Sequence, residues 1–402
     1  MDMFDIYLKE AYFGKSAGIL EIEKCLDEFL NEVKKDYTKD YNNHPLNLKL
    51  QNLFCKQFGF KKCFIIWTST PKGTCNVSTA ISADIIFKNN RDMLTKKQDG
   101  YYDKHHQHVC IIYASTTLPT QANLTTSEYL GILLHEIGHN FDASVYGAIH
   151  IIFNYLGWIL YYPKFYPKMY TNKGKEEIAK NTIKEVKDYN SKYDDEKSKS
   201  THIYKIRMEK YLSGVSSLIL APIYLICSPL FHLSELTVRK GEEFADSFAT
   251  AYGYGSEMIS GLNKITYNDL LTNNKKYQLN HFDKFLTDLA LAQRYIIQFA
   301  AGACHGTNDT RLITSLNMLK KDIKNHNYPP ELKKELYNEV KKLEKTYELY
   351  NSPLYKDKEK LYISYYVRKM ICIIFGKRSD FIAKLFPNNY AKNNLNDNKF
   401  NG

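Results

Sequence analysis

No Cys-x-x-Cys pair occurs in this chain of 402 residues, although it carries eight cysteines. That absence argues against a cysteine-zinc site and against a disulfide framework. Cys63, Cys110, Cys227 and Cys372 each sit inside an apolar run, which predicts buried thiols in a reducing compartment. The start, Met1-Asp2-Met3-Phe4-Asp5, has neither the basic opening nor the apolar centre of a secretory signal. The expected location is therefore cytoplasmic or membrane-associated. Gly14-Lys15-Ser16 lacks the earlier glycine of a phosphate loop, since Lys9 stands in its place. Zinc-finger spacing and RNP-like aromatic motifs are missing too, so no specific nucleic-acid partner is expected. There is no internal repeat.

Charge of one sign is in excess: the formal net charge is +11, which favours anionic surfaces or forms a solvated face. At 44% hydrophobic and 25% charged residues, the composition is that of a folded protein with a sizeable core. Ile19, Ile22, Leu26, Phe29, Leu30 and Val33 recur at helical spacing near the start. From residue 60 the period shortens. Cys63–Thr68, Val77–Phe87 and His108–Ala114 are β-branched and aromatic runs bounded by Pro, Gly, Asn and Asp, and read as three strands. His105, His106 and His108 read as a loop entering the last of them rather than as a second metal site. Thr125-x-x-Glu128 then forms a capping box opening a helix through Leu130, Leu133, Leu134, Ile137 and Phe141.

Two segments, Ala143–Pro163 and Tyr211–Ser234, contain no Asp, Glu, Lys or Arg. Each approaches the roughly 20 apolar residues that cross a bilayer. His150, Asn154, Ser216, Ser217 and Pro222 interrupt them, so a membrane contact through 144–162 and 211–233 and a hairpin buried in the protein both stand open. A polar lysine-rich stretch, Lys164–Lys210, connects them.

Beyond residue 235 the pattern is helical. Phe282, Phe285, Leu286, Leu289, Tyr295, Ile296 and Phe299 form one stripe. Leu332, Leu336, Val340, Leu343 and Tyr347 form another, begun by Pro329-Pro330. Leu361–Phe375, with Arg368 and Lys369, reads as core or as a basic surface-seeking helix. The Asn-rich end, Asn388–Gly402, reads as disordered.

Chemistry is concentrated in His135-Glu136-Ile137-Gly138-His139. Residues four apart share a helical face, so both imidazoles can reach one metal ion. Glu136 projects about 100° round the helix, toward a bound water and a substrate carbonyl. Such a site needs a third protein ligand. Glu242-Glu243-Phe244-Ala245-Asp246 offers one: Glu242 and Asp246 share a face, one to bind metal and one to orient a ligating imidazole. Glu242 is preferred, with Glu243 as its rival.

These motifs resemble the gluzincin metallopeptidases, most closely the membrane group of HtpX-type and CAAX-prenyl-protease-type enzymes. That group carries His-Glu-x-x-His followed by Glu-x-x-Ala-Asp, matched by His135–His139 and by Glu242-x-x-Ala245-Asp246, with two hydrophobic helices between. A later His followed six residues on by Arg is matched by His305 and Arg311-Leu312. The resemblance spans about residues 108–320. It implies a Zn2+ held by His135, His139 and Glu242, Glu136 as general base, His305 as oxyanion donor, and Arg311 and Asp246 as supporting residues. Gly306 stands where the group has Pro, and residues 1–134 lack the group's hydrophobic helices before the zinc motif.

The implied fold is α+β and mostly helical: a zincin-like core of small mixed sheet plus active-site helix, an inserted hydrophobic hairpin and a helical C-terminal extension. The expected divisions are a helical region over 1–60, a zincin half over 61–143, the hairpin over 144–234, a second half over 235–325, and the extension and tail over 326–402. The expected activity is zinc-dependent cleavage of a polypeptide substrate by a metal-activated water, with the strand at 108–114 pairing to an extended peptide. The alternative is a non-catalytic zincin-fold protein acting in assembly or membrane penetration through its hairpin.

Overall fold

The computed structural model describes residues 17–37, 39–68, 109–139, 171–192, 245–271, 308–325, 327–351 and 362–367, with positions 242, 281, 285, 288, 289, 292, 369 and 370. Within them the protein is mostly helical, with one small sheet, which is an α+β arrangement. The elements in chain order are α1 (Ala17–Lys35), α2 (Pro45–Phe58), β1 (Lys62–Thr68), β2 (Val109–Ser115), α3 (Leu118–Gln121), α4 (Thr126–Gly138), α5 (Asn172–Lys192), α6 (Gly255–Leu271), α7 (Asn308–Asn325) and α8 (Pro330–Asn351). The strand expected at Val77–Phe87, the segments Ala143–Pro163 and Tyr211–Ser234, and the tail from Asn388 lie outside the described residues. Among the described residues no helix is long and apolar enough to cross a membrane.

β1 and β2 run parallel, in register from Lys62 opposite Val109 to Thr68 opposite Ser115. The expected sheet was mixed; its two described strands are parallel, and β2 runs one residue past the expected end, to Ser115. Alternation sends successive side chains to opposite faces. Cys63, Ile65, Trp67, Cys110, Ile112 and Ala114 face the main core, which runs through α1, α2, α4, α6, α7 and α8. Ile66, Val109 and Ile111 face the other way, where Ile178 and Ala179 of α5 cover them. The sheet is thus buried on both faces, as parallel strands generally are. The four described cysteines, Cys25, Cys55, Cys63 and Cys110, are free thiols, and all but Cys55 are buried.

α5 lies within the lysine-rich stretch expected as a polar connection, where the sequence pattern marked no helix. Ile178, Ala179, Ile183 and Val186 form a narrow apolar stripe at helical spacing within a lysine-rich run, enough to seat the helix on the sheet. Asn172 at its start accepts from the Val109 backbone N–H at 3.0 Å. Phe285, read from the sequence as part of an apolar stripe, is exposed.

Two buried asparagines fix the outer edge of β1. Asn42 accepts from the Trp67 N–H (2.8 Å) and donates to the Trp67 carbonyl (3.1 Å). Asn47 donates to the Ile65 carbonyl (3.1 Å) and accepts from Trp67 Nε1 (2.9 Å). Edge groups that would otherwise be buried without partners are satisfied in this way. Trp67 in turn stacks on Tyr129 of α4, ring centroids 5.9 Å apart, and the Tyr129 hydroxyl donates to the Ser115 carbonyl of β2 at 3.0 Å. One aromatic residue therefore sets α4 against both strands.

Candidate metal centre

α4 begins with the capping box expected from the sequence. Thr125 Oγ1 accepts from the Glu128 N–H, and Glu128 accepts from the Thr125 N–H at 2.8 Å. Glu128 also receives Ser260 Oγ (2.7 Å) and Lys264 Nζ (2.8 Å) from α6. Burial opposes its ionisation, but these hydrogen bonds outweigh burial and hold the carboxyl below its ordinary range. The cap thus fixes where α4 starts and which way it faces α6. Thirteen residues later the helix ends at Gly138, with His139 as its C-cap in a helical conformation. The expected continuation to Phe141 lies outside the described residues.

Near the end of α4 the chain meets the segment carrying Glu242 and the helical residues 245–251. Gly138 makes this approach feasible. A Cβ there would stand 2.9 Å from the Ala245 Cα and 2.9 Å from the Phe248 Cβ. Glycine between the two histidines brings the backbone of one helix against the other, close enough for their side chains to share an ion.

His135, His139 and Glu242 come together. His135 Nε2 lies 3.4 Å from one Glu242 oxygen, and His139 Nε2 lies 3.4 Å from the other. The imidazole rings stand edge to face with centroids 4.8 Å apart. Tetrahedral zinc with bonds of about 2.0–2.1 Å holds neighbouring ligand atoms about 3.3 Å apart, so the observed spacing fits a cation of that size. His135 is buried, while His139 keeps 24% of its side chain exposed, leaving one side of the cluster open.

Behind the ligands lies a second group. His135 Nδ1 is 2.9 Å from Asp246 Oδ1. A carboxylate only accepts, so Nδ1 carries the hydrogen, and Nε2 is the nitrogen turned toward Glu242. Arg311, from the first turn of α7, donates through Nε to Asp246 Oδ2 at 2.8 Å and through Nη2 to Asp246 Oδ1. Its Nη2 also lies 3.1 Å from His135 Nδ1 and 3.8 Å from Glu242 Oε2. Burial disfavours the charged forms of Asp246 and Arg311, but their mutual attraction prevails: the Asp246 carboxyl stays below its usual range and the Arg311 guanidinium above its own. For His135, burial and the Arg311 charge oppose protonation. Hydrogen bonds to Asp246 and Glu242 win, raising its pKa to about 9. Without a metal, Asp246 and Glu242 are thus faced by two cations, Arg311 and the protonated His135, and an ion at His135 Nε2 would take the place of that proton.

No protein-family model, curated protein or solved structure matches this chain. The metal centre is therefore read from its own geometry. Glu136 follows His135 on α4, is partly exposed, and its charge reaches Arg311. His305, Glu243, His105, His106 and His108 lie outside the described residues. What the sequence alone did not disclose is the close approach at Gly138. Its trace in the sequence is the small residue between the two histidines, Gly138, at the end of α4.

Proposed function

We propose that the protein is a zinc-dependent endopeptidase of the gluzincin kind. The observation that carries this reading is the placement of both imidazole Nε2 atoms 3.4 Å from the two oxygens of one carboxylate, Glu242. That donor set, two neutral nitrogens and one carboxylate, suits zinc and leaves a fourth position open. A zinc ion bound there supplies a Lewis acid that polarises a carbonyl and acidifies water.

The chain's own residues then divide the work. His135, His139 and Glu242 hold the ion. Asp246 keeps His135 in the tautomer whose Nε2 faces inward, and Arg311 keeps Asp246 charged and fixed. Glu136, on the same helix and less buried than His135, takes the proton of the attacking water and returns it to the departing amine. The resemblance assigns His305 to the developing oxyanion. A polypeptide as substrate follows from the motif resemblance, with β2 as the strand that would pair with an extended segment.

The test is Glu136→Gln with zinc content and peptidase activity measured together. The expected variant keeps its zinc and cleaves neither casein nor itself. Undiminished cleavage by that variant contradicts the reading.

A further inference from the structure

The described residues 362–367, 369 and 370 form a feature independent of the metal centre. Residues 363–367 and 369–370 are helical. The start of this segment is fixed by a buried carboxylate from elsewhere in the chain: Asp288 accepts from the Ile363 N–H at 2.7 Å and from the Ser364 N–H at 2.9 Å. An acidic residue is favoured at such a position, where helix N–H groups lack partners of their own. Ser364 is fully buried, so one side of the segment is docked on the protein.

The opposite side is apolar and open. At 100° per residue, Ile363, Tyr366, Val367 and Met370 fall within an arc of about 100°. Ile363 is 45%, Tyr366 56% and Met370 52% exposed. Phe285, one turn before Asp288 in the sequence, is 51% exposed as well. A soluble surface scatters exposed apolar residues singly, whereas three at spacings of three and four on one helical face make a contact surface. Lys369, exposed, flanks the arc, and Arg368 precedes it in the sequence. Lys377 and Arg378 follow soon after, and the whole chain carries a net charge of +11. An apolar stripe flanked by the exposed Lys369, on a protein of net charge +11, matches an anionic lipid surface, where apolar side chains enter the headgroup region and cations meet phosphate and carboxylate groups.

We propose that the face formed by Ile363, Tyr366 and Met370, with Lys369, docks the protein onto an anionic membrane surface. The contact is peripheral and uses neither of the uncharged segments at 143–163 and 211–234. It rests on nothing in the metal centre, so its failure leaves the peptidase reading untouched.

The experiment is flotation of the full-length protein with phosphatidylcholine vesicles, with and without phosphatidylserine, at low and high salt. Wild type should float with the phosphatidylserine vesicles, and salt should weaken the association. Tyr366→Glu/Met370→Glu should lower the bound fraction at least about tenfold while keeping the wild-type circular dichroism and melting temperature. Lys369→Glu, a change at an exposed position that leaves folding intact, should weaken binding to the anionic vesicles alone. Three results overturn the proposal: no flotation of wild type, flotation unchanged in both variants, or equal binding to neutral vesicles. A protein that stays off vesicles but dimerises through this face, with Tyr366→Glu/Met370→Glu monomeric in sedimentation, assigns the face to a second copy and overturns it too.

Discussion

His135 Nδ1 stands 2.9 Å from Asp246 Oδ1, and the same carboxylate is gripped by Arg311. One aspartate therefore orients an imidazole and neutralises a buried guanidinium. Changing it to asparagine breaks both relations at once. Removing one partner of a buried charge pair costs about 3–5 kcal/mol, because the other charge is left uncompensated. Loss of the residue that orients a ligating histidine lowers metal affinity about 10–100-fold. Asp246→Asn should show both effects, read by urea denaturation of the metal-free protein and by chelator competition for zinc. Wild-type affinity in that variant would mean that Asp246 does not orient His135.

Gly138 carries a separate prediction. A methyl group there meets the Ala245 backbone at 2.9 Å, and backbone cannot turn aside as a flexible side chain can. Gly138→Ala should destabilise the protein by about 1–3 kcal/mol, the usual cost of overpacking. It should also weaken zinc binding, since α4 and the Glu242 segment are pushed apart. Thermal denaturation and zinc titration of the variant test the two effects separately.

How much of this was legible beforehand differs by element, for physical reasons. The start of α4 was readable because Thr125 and Glu128 cap it through contacts three residues apart. α1 and α8 were readable from stripes such as Ile22, Leu26, Phe29 and Leu336, Val340, Leu343, all buried as the period requires. The clustering of His135 and His139 follows from helical spacing. The convergence of Glu242 on them does not, since it depends on packing over more than a hundred residues of chain; only the motif resemblance pointed there. α5 was missed because four apolar residues among many lysines give a weak pattern, and only the sheet shows why they suffice. The bonds of Asn42 and Asn47 to β1 span 18–25 residues and leave no local signature.

Lys175 gives a pH-dependent prediction. It lies in the first turns of α5, is 2% exposed, and its Nζ has no hydrogen-bond partner among the described residues. Burial lowers its pKa from 10.5 to about 8. Below pH 8 the folded and unfolded states both carry the charge, and the folded state bears the cost of burying it. Between about pH 8 and 10.5 the unfolded chain binds more protons than the folded one, so stability contributed by this site rises with pH. That difference corresponds to about 3 kcal/mol at most. Lys175→Met should therefore be more stable than wild type at pH 7, and the gap should close as pH rises through this window. Urea denaturation of both proteins across that range measures it; a gap that stays constant would contradict the account.

The central claim is that His135, His139 and Glu242 bind a single metal ion. It is tested most directly by metal analysis of the purified full-length protein beside His139→Ala, using mass spectrometry for metal content and circular dichroism for folding. The account predicts one zinc per chain in wild type and a folded variant that has lost it. A wild-type protein that takes up no stoichiometric zinc even when supplied with it, or a His139→Ala variant that retains zinc with unchanged affinity, would contradict it.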